Sequence, residues 1–227
     1  MRRVFSLYST SVGKKIAMAG SGVIFVGFVL GHMAGNFKVY QGAEKFNAYA
    51  EGLREMGAPV FGHGQLLWLA RVVLLASLVI HVVAALQLSR QSLAARSVKY
   101  EKRAHLEFSR TSRSMRWGGA ALFLFVAYHL AHLTWGFVHP DFVPGDAYHN
   151  LVSGFQAWPV AGIYVLAMVA LGLHLYHGIW SAFQTLGLLS PRALRIRRPL
   201  AAVVALTVVL GNLSFPVAVQ AGLLSLS

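Results

Sequence analysis

PVAGIYVLAMVALGLHLYHGIWSAFQTL, residues 159–186, contains no Asp, Glu, Lys or Arg but carries two histidines, His174 and His177. About 20 mostly apolar residues in a helix cross the hydrocarbon core of a bilayer. The stretch therefore reads as a transmembrane helix with imidazoles sunk into it. Four more segments share its character, at roughly 16–36, 65–88, 117–138 and 199–220. With 56% hydrophobic and only 12% charged residues, the chain departs from the balance of soluble proteins. The expected fold is all-α, a single domain over 1–227 formed by a bundle of five transmembrane helices. The first span is too long for a signal peptide, lacks a convincing cleavage site and continues through Gly31, His32 and Gly35, so it is expected to be retained.

The chain has no cysteine, which excludes disulfides, thiolate-held iron–sulfur clusters and covalently attached c-type haem. A tightly held redox metal must use histidine. The net charge of +13 raises nucleic acid as a partner, but the distribution of the basic residues argues against it. Of 20 Lys and Arg, 16 lie in three regions: Arg2, Arg3, Lys14 and Lys15; the eight from Arg90 to Arg116; and the four from Arg192 to Arg198. The alternate loops hold Lys38, Lys45, Arg54 and Arg71 beside five of the seven acids. This is the positive-inside pattern, and it places the N-terminus in the cytoplasm and the C-terminus outside, in a cytoplasmic membrane of bacterial or archaeal type.

In the first external loop, 37–64, the spacing of Glu44, Phe46, Tyr49 and Leu53 fits either a short amphipathic helix along the membrane or a simple connector. The second external loop, with Pro140, Asp141, Pro144, Gly145 and Asp146, reads as turn chemistry. The basic stretch 89–116 suits anionic lipid or an acidic partner surface, although the positive-inside rule alone also accounts for it.

Ionisable groups are costly in hydrocarbon and usually have a partner or a task. Six histidines fall inside the spans: His32, His81, His129, His132, His174 and His177. A single membrane histidine is more often a hydrogen-bonding bridge than a ligand, but one on each of four consecutive helices suits an iron that takes two axial ligands from facing helices. At 1.5 Å per residue, His32 lies about 25 Å from the cytoplasmic edge, and His129 and His132 lie about 20–24 Å from it. His81 is about 14 Å from that edge, and His174 and His177 about 10–15 Å. Depth thus predicts an outer haem between helices one and three and an inner haem between helices two and four. It does not choose within the doublets His129/His132 and His174/His177. Gly27, Gly31 and Gly35, and Gly172 and Gly178, offer small-residue surfaces either for a macrocycle or for plain helix packing. Arg71 is a candidate propionate partner, or an interfacial arginine reaching to water.

The runs GHMAGN at 31–36, YHLAHLTWG at 128–136, DAYHNLVSGF at 146–155 and HLYHGIWSAFQTLG at 174–187 carry a resemblance over nearly the whole chain. It resembles the cytochrome b membrane anchor of succinate:quinone oxidoreductases (succinate dehydrogenase and fumarate reductase), in the single-subunit, five-helix, di-haem form. The resemblance implies two haem b groups with His32, His81, His129 and His174 as axial ligands to iron, and with His132 and His177 as the rivals one turn away. It implies a flavoprotein subunit and an iron–sulfur subunit as partners, and quinone, either menaquinone or ubiquinone, as electron acceptor. The role implied is a respiratory electron-transport subunit linked to the tricarboxylic acid cycle. The dicarboxylate chemistry is placed outside this chain, for which no catalytic residue is named. The fumarate-reducing direction uses the same parts. Hydrogenase-type or b561-like di-haem anchors share the histidine pairing, and a proton-relaying transporter also uses membrane histidines.

Overall fold

The computed structural model describes residues 8–94 and 108–226, with side chains left undescribed through 114. The basic residues Arg2, Arg3, Arg96, Lys99, Lys102 and Arg103, and also His105, lie outside the described residues.

The helices follow in chain order: α1 Ser11–Asn36, a 3-10 turn Phe37–Gln41, α2 Ala43–Gly52, α3 Gln65–Ala94, α4 Phe108–His129, a π turn Leu130–Thr134, α5 Ala147–Gln156, α6 Trp158–Thr185 and α7 Pro191–Gln220. Helices α1, α3, α4, α6 and α7 are long and apolar enough to cross a membrane. Large apolar side chains such as Val72, Val79, Leu86, Leu124, Leu166, Leu173, Leu206 and Leu210 stand on their outer surfaces. A soluble protein rarely exposes so much contiguous apolar surface, whereas hydrocarbon is its natural surrounding. Trp68, Trp135 and Trp158 are exposed near span ends, where the amphipathic indole is favoured.

Several boundaries differ from those expected from hydropathy, each with a local cause. The last helix begins at Pro191, well before residue 199, because Ser190 caps it: its Oγ accepts from the Ala193 N–H at 3.2 Å, and Pro191 occupies the first turn. Pro199 is then an interior proline. The helix α3 runs on to Ala94 through Arg90. The third span stops at Thr134 rather than 138, and Gly136 takes φ +73° just beyond it, a backbone conformation available to glycine at little cost. In the first external loop the helical alternative is the one found, as α2.

The second external loop, expected to consist of turns, contains the helix α5. Asp146 caps it by accepting from the His149 N–H at 2.9 Å, and the same Oδ1 accepts from Asn47 Nδ2 at 2.9 Å. The Asn47 side-chain oxygen accepts in turn from the Tyr148 N–H at 2.9 Å. The two bonds made by Asn47 fasten α2 to α5. The two short helices and the 3-10 turn cover the end of the bundle remote from Arg90, Arg116 and Arg192–Arg198. Val39, Phe46, Leu151, Val152, Phe155, Tyr164, Phe215 and Val219 form a buried cluster there. Nearer the basic end, α6 and α7 share a smaller core of Leu175, Ala205 and Val208, with Val26, Val29 and Leu30 of α1 against it.

Candidate haem-binding site

The four transmembrane helices that carry histidine pack in a definite pattern. Among the described residues, α1 packs on α3 and α6, and α4 packs on α6. Among the described residues, backbone packing is sparse between α1 and α4 and between α3 and α6, the two diagonals, and likewise between α3 and α4. Imidazoles reach across both diagonals. His32 on α1 and His129 on α4 have ring centroids 6.0 Å apart. His81 on α3 and His174 on α6 have ring centroids 6.1 Å apart.

A metal–imidazole bond is about 2 Å long, so two histidines sharing one iron hold their ring centroids about 6 Å apart. Both pairs have that separation, on helices spaced too widely to pack directly. His174 Nδ1 and the rival His177 Nδ1 are both buried without a hydrogen-bond partner, so this state does not choose between them. Among the described residues no group of three or more His, Cys, Asp or Glu side chains is placed to hold a metal ion directly. The histidines meet two at a time, and two is the number of axial ligands that a porphyrin iron accepts from protein. The residues present fit a haem at each pair.

The rival histidines point elsewhere. His132 is fully buried and stacks on Tyr128 at 5.5 Å and on His139 at 4.7 Å. It lies in the π turn, whose wider winding carries residue 132 farther around from the His129 face than three α-helical residues would. His177 meets Trp180 edge to face at 5.1 Å, and Arg197 and Arg198 stand over the same indole.

Each pair has its own surroundings. His81 Nδ1 lies 3.1 Å from the Met18 carbonyl and 3.1 Å from Ser21 Oγ. Gly22 lies against the ring, where a Cβ would make an ordinary contact of 3.6 Å with His81 Cε1. In the other pair, Phe28 stacks on His32 at 5.3 Å, while His129 Nδ1 lies 3.2 Å from the Tyr164 hydroxyl. Tyr164 and His139 are participants that the sequence alone did not reveal. A tyrosine in an apolar span and a histidine at a helix end carry no periodic signal.

The glycines divide between two tasks. Gly27, Gly31 and Gly178 have nothing within 4 Å of where a Cβ would lie. Gly35 serves packing, because a side chain there would strike the Tyr49 ring, and Gly172 does likewise against Val209. Arg71 is exposed and stacks on Trp68, its guanidinium carbon 4.8 Å from the ring centroid. That is the geometry of an interfacial arginine. Outside the spans, His149 Nε2 pairs with Asp141 Oδ2 at 2.9 Å, and His63 Nδ1 with Glu55 Oε1 at 2.6 Å.

Comparison with curated proteins and with solved structures yields no match. The model of one family, the succinate dehydrogenase/fumarate reductase transmembrane subunit, matches residues 90–213. That segment takes in His129, His132, His174 and His177 and leaves His32 and His81 before it. With more than half its length matched, and with five membrane-crossing helices around paired histidines, the chain belongs to the family of succinate dehydrogenase/fumarate reductase transmembrane subunits.

Proposed function

We propose that this membrane anchor is a di-haem cytochrome b, with an outer haem held by His32 and His129 and an inner haem held by His81 and His174. The observation that carries this reading is the recurrence of one geometry: two histidine pairs, at 6.0 and 6.1 Å, each bridging a diagonal of the bundle. The bound haems supply one-electron redox chemistry. The chain's residues fix the axial positions, hold the helices at the right spacing and exclude water.

The anchor passes electrons between the iron–sulfur subunit and membrane quinone, in the direction of succinate oxidation; fumarate reduction is the same path reversed. The flavoprotein and iron–sulfur subunits dock at the basic end, where Arg90, Arg116, Arg192, Arg195 and Arg198 are exposed and offer a positive surface to an acidic partner. That end is cytoplasmic by the positive-inside rule, which puts α2 and α5 on the opposite side, and the inner haem is the one nearer the partner. Family membership favours this reading over a transporter or a hydrogenase-type anchor.

Single replacement of each of the six membrane histidines by alanine, followed by haem quantitation and reduced-minus-oxidised spectra, tests the assignment. Loss of one haem is expected for His32, His81, His129 and His174, with both retained for His132 and His177. A His174→Ala protein that keeps both haems overturns it. Crosslinks from the iron–sulfur subunit to residues 140–150 contradict the docking face.

A further inference from the structure

Tyr164 lies in the buried cluster at the α2/α5 end of the bundle and is only 6% exposed. Its hydroxyl is shared by two imidazoles. His129 Nδ1 lies 3.2 Å from it and His132 Nδ1 lies 3.1 Å from it. Any part this hydroxyl plays in redox chemistry rests on the reading of His129 as a haem ligand.

The proton inventory of the three groups is small enough to enumerate. A phenol has one proton to donate and can also accept. A neutral imidazole carries its proton on one nitrogen and leaves the other bare. If both histidines donated to Tyr164, the phenol proton would be buried without an acceptor, at a cost of about 1–3 kcal/mol. If neither histidine donated, the hydroxyl could serve only one of the two bare Nδ1 atoms and the other would lack a donor. Two directions satisfy all three groups at the hydroxyl. In one, His129 Nδ1–H donates to the hydroxyl, which donates to His132 Nδ1. In the other, every bond is reversed.

The two directions have opposite consequences for metal binding. In the first, His129 presents a bare Nε2 while His132 carries its proton on Nε2; in the second, the roles are exchanged. A hydroxyl placed between the rings therefore permits only one of them to be a neutral ligand at a time. Position decides which. His129 faces His32 across the diagonal, whereas His132 is enclosed between Tyr128 and His139 and, among the described residues, faces no second histidine of another transmembrane helix. Its Nε2 is buried without a partner, so the first direction costs an unpaired N–H there that ligation through His129 must outweigh. Gly154 closes that enclosure, since a Cβ there would stand 2.8 Å from His132 Cε1.

We propose that Tyr164 is a positioning residue of the outer haem site: it accepts from His129 and donates to His132, which selects His129 as the ligand and makes it a stronger electron donor. A hydrogen-bond acceptor on the second nitrogen of a ligating histidine fixes its tautomer and raises its basicity. Donation onward to His132 strengthens that acceptor through the chain of bonds. A more basic ligand favours the oxidised iron. The inner site has an acceptor of another kind: His81 Nδ1 is met by the Met18 carbonyl, which has no proton to pass on, and by Ser21.

The test is a redox titration of the purified complex carrying Tyr164→Phe, followed by the optical α-band and the low-spin electron paramagnetic resonance signals. The expected result is two haems retained and one of them shifted to higher potential. About a tenfold change in its reduced-to-oxidised ratio at fixed ambient potential corresponds to about 59 mV for one electron. The inner haem stays in place. Two retained haems with neither potential moved, or with both moved alike, overturn the proposal. Should Tyr164→Phe fail to assemble, His132→Leu is expected to give a smaller rise in the same haem. His132→Gln, whose amide oxygen can accept from Tyr164, is expected to restore the wild-type value; equal potentials in all three proteins overturn the proposal. A His129→Ala protein that keeps both haems removes the ligand assignment itself, an outcome distinct from an unmoved potential.

Discussion

His32 and His129 face each other with ring centroids 6.0 Å apart and ring planes at 87°, although their helices, α1 and α4, do not pack closely on each other. This combination of sparse helix packing and a narrow imidazole spacing is what the proposed ligand pair requires.

On the proposed assignment His32 and His129 hold one group, so their replacements are expected to be non-additive. His32→Ala and His129→Ala each remove the same haem, and the double variant loses no more. Spectra of the three proteins check this, with the residual α-band identical in all of them. Pairing each with His81→Ala is expected to leave no haem.

Ser21→Ala is expected to have little effect on the inner haem. Ser21 Oγ lies 3.1 Å from His81 Nδ1, but the Met18 carbonyl lies at the same distance and remains as acceptor. Redox titration should show the potential of that haem unchanged. A shift as large as the one expected for Tyr164→Phe counts against backbone anchoring of His81.

Gly154→Ala is expected to destabilise the protein by about 1–3 kcal/mol, the usual range for overpacking, since the new methyl group would meet His132 and His139. Gly52→Ala, with nothing within 4 Å of the new atom, is expected to leave stability unchanged or to raise it by up to about 1 kcal/mol. Thermal unfolding of the two proteins side by side gives the comparison.

The Asp146 carboxyl links the α2–α5 cap to pH. Burial raises its pKa, but the His149 backbone N–H and the Asn47 amide outweigh this, and the group titrates below its ordinary value of 3.8. A carboxylate so depressed contributes stability above that value and loses it as pH falls through the folded pKa. Amide exchange in 43–52 and 147–156 is therefore expected to be flat between pH 5 and pH 7 after correction for intrinsic rates, and to quicken below about pH 4. In Asp146→Asn that acid step is expected to be lost.

Much of this fold was legible in the sequence because hydrocarbon imposes a simple rule on length and polarity. The five apolar runs became five helices, and counting residues from Lys15, Arg90 and Arg116 placed the histidines in two layers. The same counting could not divide His129 from His132. Depth measures distance along the axis and says nothing of azimuth, and the π turn that begins at Leu130 leaves no mark in hydropathy. The helix α5 was hidden for another reason: Pro144, Gly145 and Asp146 do form a turn, but Asp146 also caps the helix that begins at Ala147. Gly35 and Gly172 illustrate a related ambiguity, since a glycine facing Tyr49 or Val209 is indistinguishable in sequence from one lining a cofactor.

Haem counted against protein in the purified complex is the most direct measurement of whether both histidine pairs are ligand pairs. Two haems per copy of this chain, both low-spin, with one lost when His32, His81, His129 or His174 is replaced and neither lost when His132 or His177 is, is the expected result. One haem or none in the intact wild-type protein contradicts it.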